Sequence, residues 1–104
     1  MNNLINRIAK KSTHKTYKHV SIVVKGGAIQ SVGYNHDDFH SEFMAVNKIW
    51  PNKRAGTSII NVRVTKTGFA NARPCDKCMD FLRFSGVRKV TFTNNKGNWI
   101  TERI

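Results

Sequence analysis

The sequence predicts a single α/β domain, because segments with an apolar period near 3.6 residues alternate with segments of period two over only 104 residues. The order that emerges is α-β-β-α-β-α-β-β, with no internal repeat and no low-complexity stretch. Punctuation supports it. Gly26-Gly27, Pro51, Pro74 and Gly86 each stand where one pattern gives way to another.

Leu4, Ile5 and Ile8 recur at helical spacing, so residues 2–11 read as a short amphipathic helix followed by a basic loop over 12–17. Residues 20–25 and 28–35 are β-type runs, and the Gly26-Gly27 pair between them turns a hairpin. From Phe39 onward, Phe43, Met44, Val46, Ile49 and Trp50 take helical intervals until Pro51, which places His40 and Glu42 in the first turn. Residues 58–67 alternate, with Ile60, Val62 and Val64 on one face and Asn61, Arg63 and Thr65 on the other. Pro74 is a favoured opening for a helix carrying Met79, Phe81, Leu82 and Phe84 and closed by Gly86, with Cys75 and Cys78 in its first turn. Residues 87–93 and 99–104 read as strands around a turn at 94–97, so the chain ends in a β-hairpin. Trp50 and Trp99 are expected to pack, and His14 and His19 to lie on the basic surface.

Two cysteines three apart on a helix face the same way and suit a metal or a redox pair better than a structural disulfide, and a redox pair would assign no role to His40 or Glu42. A helix N-terminus lowers thiol pKa values, which favours the thiolates that zinc needs. His40 can supply a neutral nitrogen as third ligand, which leaves a position for water, and Glu42 beside it can move protons. The expected metal is one Zn2+ held by His40, Cys75 and Cys78. Five of the six acids, Asp37, Asp38, Glu42, Asp76 and Asp80, cluster around these ligands.

Charge is lopsided. Eighteen Lys and Arg against six acids give +12, and no acid precedes Asp37, so an anionic partner is expected. Lys10, Lys11, Lys15 and Lys18 are the candidates to track a phosphate backbone. No stretch approaches the roughly 20 apolar residues that span a bilayer, and no signal-peptide core follows Met1. With the Cys-x-x-Cys pair these features point to a reducing, cytoplasmic setting without a membrane partner.

His40-Ser41-Glu42 and Pro74-Cys75-Asp76-Lys77-Cys78 together resemble the His-x-Glu and Pro-Cys-x-x-Cys signature of zinc nucleobase deaminases. With Gly33-Tyr34-Asn35 and the run from Gly68 to Gly97, the chain is similar over most of its length to small cytidine and deoxycytidylate deaminases, viral ones included. That resemblance implies a cytidine deaminase-like three-layer α-β-α sandwich on a mixed central sheet, with the two metal-bearing helices side by side. It implies hydrolysis of cytosine to uracil, with Glu42 protonating N3 and passing a proton to the departing ammonia, and no organic cofactor. Asn35 stands where many relatives contact the substrate sugar, and Ala72 where relatives often have serine. Arg73, in the Arg-Pro-Cys-x-x-Cys motif, is a further candidate substrate contact, and Phe39 and Phe69 are candidates to border the pocket and stack on a base.

Three functions compete. The excess of cations favours cytosine in single-stranded nucleic acid as the substrate, and free dCMP or (deoxy)cytidine is the alternative. In the third, His36 joins His40, Cys75 and Cys78 in a closed Cys2His2 site of a non-catalytic basic module, which leaves Glu42 idle. Oligomeric state, and adenine as the base, stay open.

Overall fold

The computed structural model describes residues 2–14, 18–37 and 39–104, so Lys15, Tyr17 and Asp38 lie outside the described residues. The element order is α1 (Asn2–Ala9), β1 (Lys18–Lys25), β2 (Ala28–Tyr34), α2 (Ser41–Val46), β3 (Ser58–Thr65), β4 (Gly68–Ala70), α3 (Asp76–Ser85), β5 (Lys89–Thr93) and β6 (Trp99–Arg103), with a 3-10 turn at Pro51–Lys53. The strands form one mixed sheet in the order β2-β1-β3-β5-β6, with β4 paired to the far end of β3. Only the β3–β5 pair is parallel, and α3 supplies its crossover. The closing hairpin is β5–β6.

Strand alternation sorts the apolar side chains into two layers. Val20, Ile22 and Val62 meet Ile5, Ile8 and Ala9 of α1 on one face. Val23, Ile59, Val90 and Phe92 meet Ala45 and Val46 of α2 and Met79 and Leu82 of α3 on the other. The result is a three-layer α-β-α sandwich.

Gly33 sets how deeply α2 sits. A Cβ on this residue would lie 2.5 Å from the Ala45 nitrogen and 2.6 Å from the Ser41 oxygen, so only glycine lets α2 lie this close to β2. Gly86 ends α3 in the left-handed region at φ 98° with its N–H returned to Arg83 and Leu82, as a C-terminal glycine does.

Several elements differ from expectation. The second helix ends at Val46 rather than at Pro51, because Asn47, Lys48 and Ile49 continue as a turn and Pro51 opens a 3-10 turn instead. Gly68–Ala70 forms a short strand where none was expected. Trp50 is 76% exposed and Phe84 94% exposed, so neither packs, although both sit at intervals that fit an apolar stripe.

Candidate active site

His40 caps α2 with extended backbone, and Cys75 caps α3 in the same way, so the sequence delivers both side chains at helix starts. Cys78 follows one turn into α3. The ligating atoms of His40, Cys75 and Cys78 all lie within 4.8 Å of one another, and Cys78 Sγ is 3.2 Å from His40 Nδ1. A tetrahedral zinc with bonds of roughly 2.0–2.3 Å separates its ligand atoms by rather less than 4 Å, so two sulfurs and one imidazole at this spacing fit that ion. Among the described residues this is the one such cluster of three or more metal-binding side chains. His36 is not part of it. Its Nδ1 pairs with Asp37 Oδ2 at 3.1 Å and its ring stands edge-on to Tyr34, which leaves the closed Cys2His2 site without its fourth ligand.

Burial pushes the Cys78 thiol well above the usual thiol range, the Glu42 carboxylate pushes it further, and Cys75 adds to both. Two thiols and a carboxylate crowded together are balanced by a divalent cation, which is a second reason the donor set fits zinc.

Glu42, one residue into α2, is 5% exposed. Its Oε1 accepts a 2.6 Å hydrogen bond from Asn61 Nδ2 of β3. Asn61 Oδ1 in turn accepts from Ser21 Oγ of β1 at 2.5 Å, and Ser21 Oγ lies 2.7 Å from Ser41 Oγ. Sequence reasoning missed this buried row, because Ser21 and Asn61 interrupt apolar runs in the manner of solvent-facing strand residues. Their signal was that both fall on the sheet face that carries α2.

A cavity of about 500 Å3 opens over these groups, lined by Asn35, Phe39, His40, Glu42, Arg73 and Cys75 among others. Asn35 is buried and its Oδ1 accepts from Ser12 Oγ at 2.6 Å and the His19 nitrogen at 2.9 Å, tying the segment after α1 to the cavity wall. Arg73 stands exposed at the rim with its Nε donating to Glu102 Oε2 of β6 at 3.1 Å. Phe69 is not brought here. It packs on the α1 side of the sheet, edge-on to Trp99. Phe39 does line the cavity and stacks on Phe43 of α2. His14 and His19 also line it rather than lying on the outer surface, and burial, helped by Arg63, His40 and His14, lowers the His19 pKa to about 4. Lys10, Lys11 and Lys18 are not among the lining residues, and Lys15 lies outside the described residues.

A family model described as the cytidine and deoxycytidylate deaminase zinc-binding region matches residues 1–94. Among solved structures, the apo dCMP deaminase of the cyanophage S-TIM5 superposes with a TM-score of 0.68 at 22% identity, covering 89% of this chain and 79% of that one. The same phage enzyme in complex with dCMP and dUMP gives 0.65 at 19% identity over 90% and 80%. Acinetobacter baumannii RibD gives 0.65 at 16% identity, covering 88% of this chain but 26% of that one. No curated protein sequence is significantly similar to the chain.

Proposed function

The chain belongs to the cytidine and deoxycytidylate deaminase family and is a zinc-dependent deaminase acting on a C–N bond, and we propose that its substrate is a free cytosine nucleotide such as dCMP. The observation that carries this reading is the placement of cations around the cavity. Among the described residues, Arg73 is the one Lys or Arg that lines it, and a single guanidinium can grip a single phosphate through paired hydrogen bonds. The phage enzyme of similar fold binds dCMP and dUMP, which supports the same class of ligand. Single-stranded nucleic acid is the second reading, favoured by the +12 charge.

His40, Cys75 and Cys78 would hold the zinc. Bound there, zinc supplies Lewis acidity that makes a water nucleophilic near neutral pH. Glu42 lines the same cavity, and its carboxylate accepts a proton from the water that adds to C4. It delivers that proton to N3, then takes the remaining proton from the C4 hydroxyl and passes it to the amine, which leaves as ammonia while C4 keeps the oxygen as a carbonyl. Phe39 offers a ring face at the mouth for the base. Asn35, with its Oδ1 already engaged, acts by shaping the wall that the sugar meets.

The test is deamination of dCMP, deoxycytidine and a cytosine-containing oligonucleotide side by side, with Glu42→Gln as the inactive control. The expected order is dCMP first, with kcat/KM at least about tenfold above the nucleoside, as loss of a charge-assisted contact implies. Arg73→Gln should remove most of that gap. Faster turnover of the oligonucleotide than of dCMP overturns the proposal in favour of the second reading.

A further inference from the structure

Glu42 is a buried acid on a helix of six residues, so neither solvent nor a long helix holds its side chain in place. The polar row beneath it is directional. Asn61 Nδ2 donates to Glu42 Oε1, so the carbonyl end of that amide must face the other way, toward Ser21. Ser21 has one hydroxyl hydrogen and gives it to Asn61 Oδ1, so the contact with Ser41 is completed by the Ser41 hydroxyl donating to Ser21. All four residues are between 0% and 5% exposed. Ser21 and Asn61 are direct cross-strand partners on adjacent central strands, so the sheet itself fixes their spacing.

We propose that Asn61, oriented by Ser21, is a positioning residue for Glu42: by occupying Oε1 it presents Oε2 to the substrate. The Ser41 end of the row closes the arrangement, because Ser41 and Glu42 are consecutive on α2 and both are tied to the sheet through Ser21 and Asn61. The first turn of α2 is thereby fixed at two adjacent side chains. A bare apolar residue in place of Asn61 would leave the buried Oε1 without a partner and free the carboxylate to rotate. The proposal rests on the deaminase reading of Glu42 for its consequence, and on the hydrogen-bond directions alone for its structure.

The experiment uses the zinc-loaded protein. Asn61→Asp keeps the size of the side chain but replaces the donor with an acceptor facing Glu42. Its kcat for dCMP should fall on the order of 10- to 100-fold with KM changed less than about threefold, since misplacing a reacting group acts on the chemical step. Zinc content should remain near one per chain. Combining it with Glu42→Gln reverses the pair, so that an amide on the helix side now donates to a carboxylate on β3, and should restore at least half of the melting temperature lost in Asn61→Asp alone. Ser21→Ala removes the group that orients the amide and should lower kcat several-fold. Failure of the reversed pair to regain stability overturns the proposed contact. A folded Asn61→Asp with wild-type kcat overturns the positioning role, and if Asn61→Asp does not fold, wild-type kcat in Ser21→Ala does the same. Wild-type protein inactive on every cytosine substrate would instead defeat the function proposed above, while the stability of the reversed pair still reads the Asn61–Glu42 contact.

Discussion

At the scale of single residues, the proton transfer proposed for Glu42 and the metal binding proposed for Cys78 are separable duties, and the separation is measurable. Glu42→Gln preserves shape and the accepting Oε1, so zinc content and melting behaviour should stay close to wild type while turnover falls on the order of 10²- to 10⁴-fold. Cys78→Ser should do the reverse in kind: metal content drops, and with it the link between α2 and α3, lowering the melting temperature by about 10 °C for a domain of this size. Metal analysis and thermal melts of the two variants check both. His19 adds a pH dependence. Its folded pKa of about 4 lies below the ordinary 6.5, so the neutral ring is the stabilising form. That contribution is complete above about pH 6.5 and is lost as pH falls through the window down to about 4. Thermal melts should show wild type losing more stability than His19→Asn between those values, both proteins sharing whatever loss comes from the metal ligands.

Among the elements, α2 departs furthest from what its sequence suggests and controls the most. Its apolar residues keep helical intervals to Trp50, yet the helix stops at Val46, because Trp50 is exposed and Ile49 only half-buried, so packing does not extend the helix that periodicity alone would draw. The cluster of His40, Cys75 and Cys78 was legible because Cys75-x-x-Cys78 and His40-x-Glu42 are local patterns at helix starts. Asn61 and Ser21 were not, since the side chain that each polar strand residue meets lies on another element. Phe69 was misplaced for a related reason: its distance in sequence from Cys75 says nothing about which face of the sheet a short, unforeseen strand presents. Gly33 links the fold to the site. Gly33→Ala forces a methyl against the backbone of α2, which cannot yield as a side-chain tip can, and should cost about 3 kcal/mol. Turnover should fall as well, because Glu42 moves with its helix; melting curves and dCMP assays together test this. The other element with leverage is β6, whose Glu102 holds Arg73 by the guanidinium Nε and leaves its terminal nitrogens for a ligand. Glu102→Gln should raise KM for dCMP several-fold and leave deoxycytidine, which has no phosphate, almost unchanged.

For the whole molecule, the tension is between a cavity lined, among the described residues, by the one guanidinium of Arg73 and a chain that carries a surplus of twelve. Lys10 and Lys11 follow directly on α1, which covers the sheet face opposite the metal-bearing helices, and Lys18 begins β1. The segment between α1 and β1 nevertheless reaches the cavity, since Ser12 bonds Asn35 and His14 lines the wall. The lysines thus flank a route to the site without entering it. Two consequences separate the substrates. On the reading proposed above, a mononucleotide brings its phosphate to Arg73, and lysines outside the cavity add only long-range attraction that falls off beyond about 8–10 Å in physiological salt. An oligonucleotide would lie across the flank, and each cation that meets a phosphate contributes about 0.7 to the slope of log affinity against log salt for a single strand. Replacing Lys10, Lys11 and Lys18 by Gln should therefore change kcat/KM for dCMP less than about threefold at about 150 mM salt, while Arg73→Gln alone lowers it about tenfold or more. Measured on a cytosine-containing oligonucleotide, the triple variant should weaken binding and flatten the salt slope by up to about 2 if a strand does track this flank. A slope unchanged by the three substitutions, with dCMP turnover intact, assigns the surplus charge to a surface other than the substrate path.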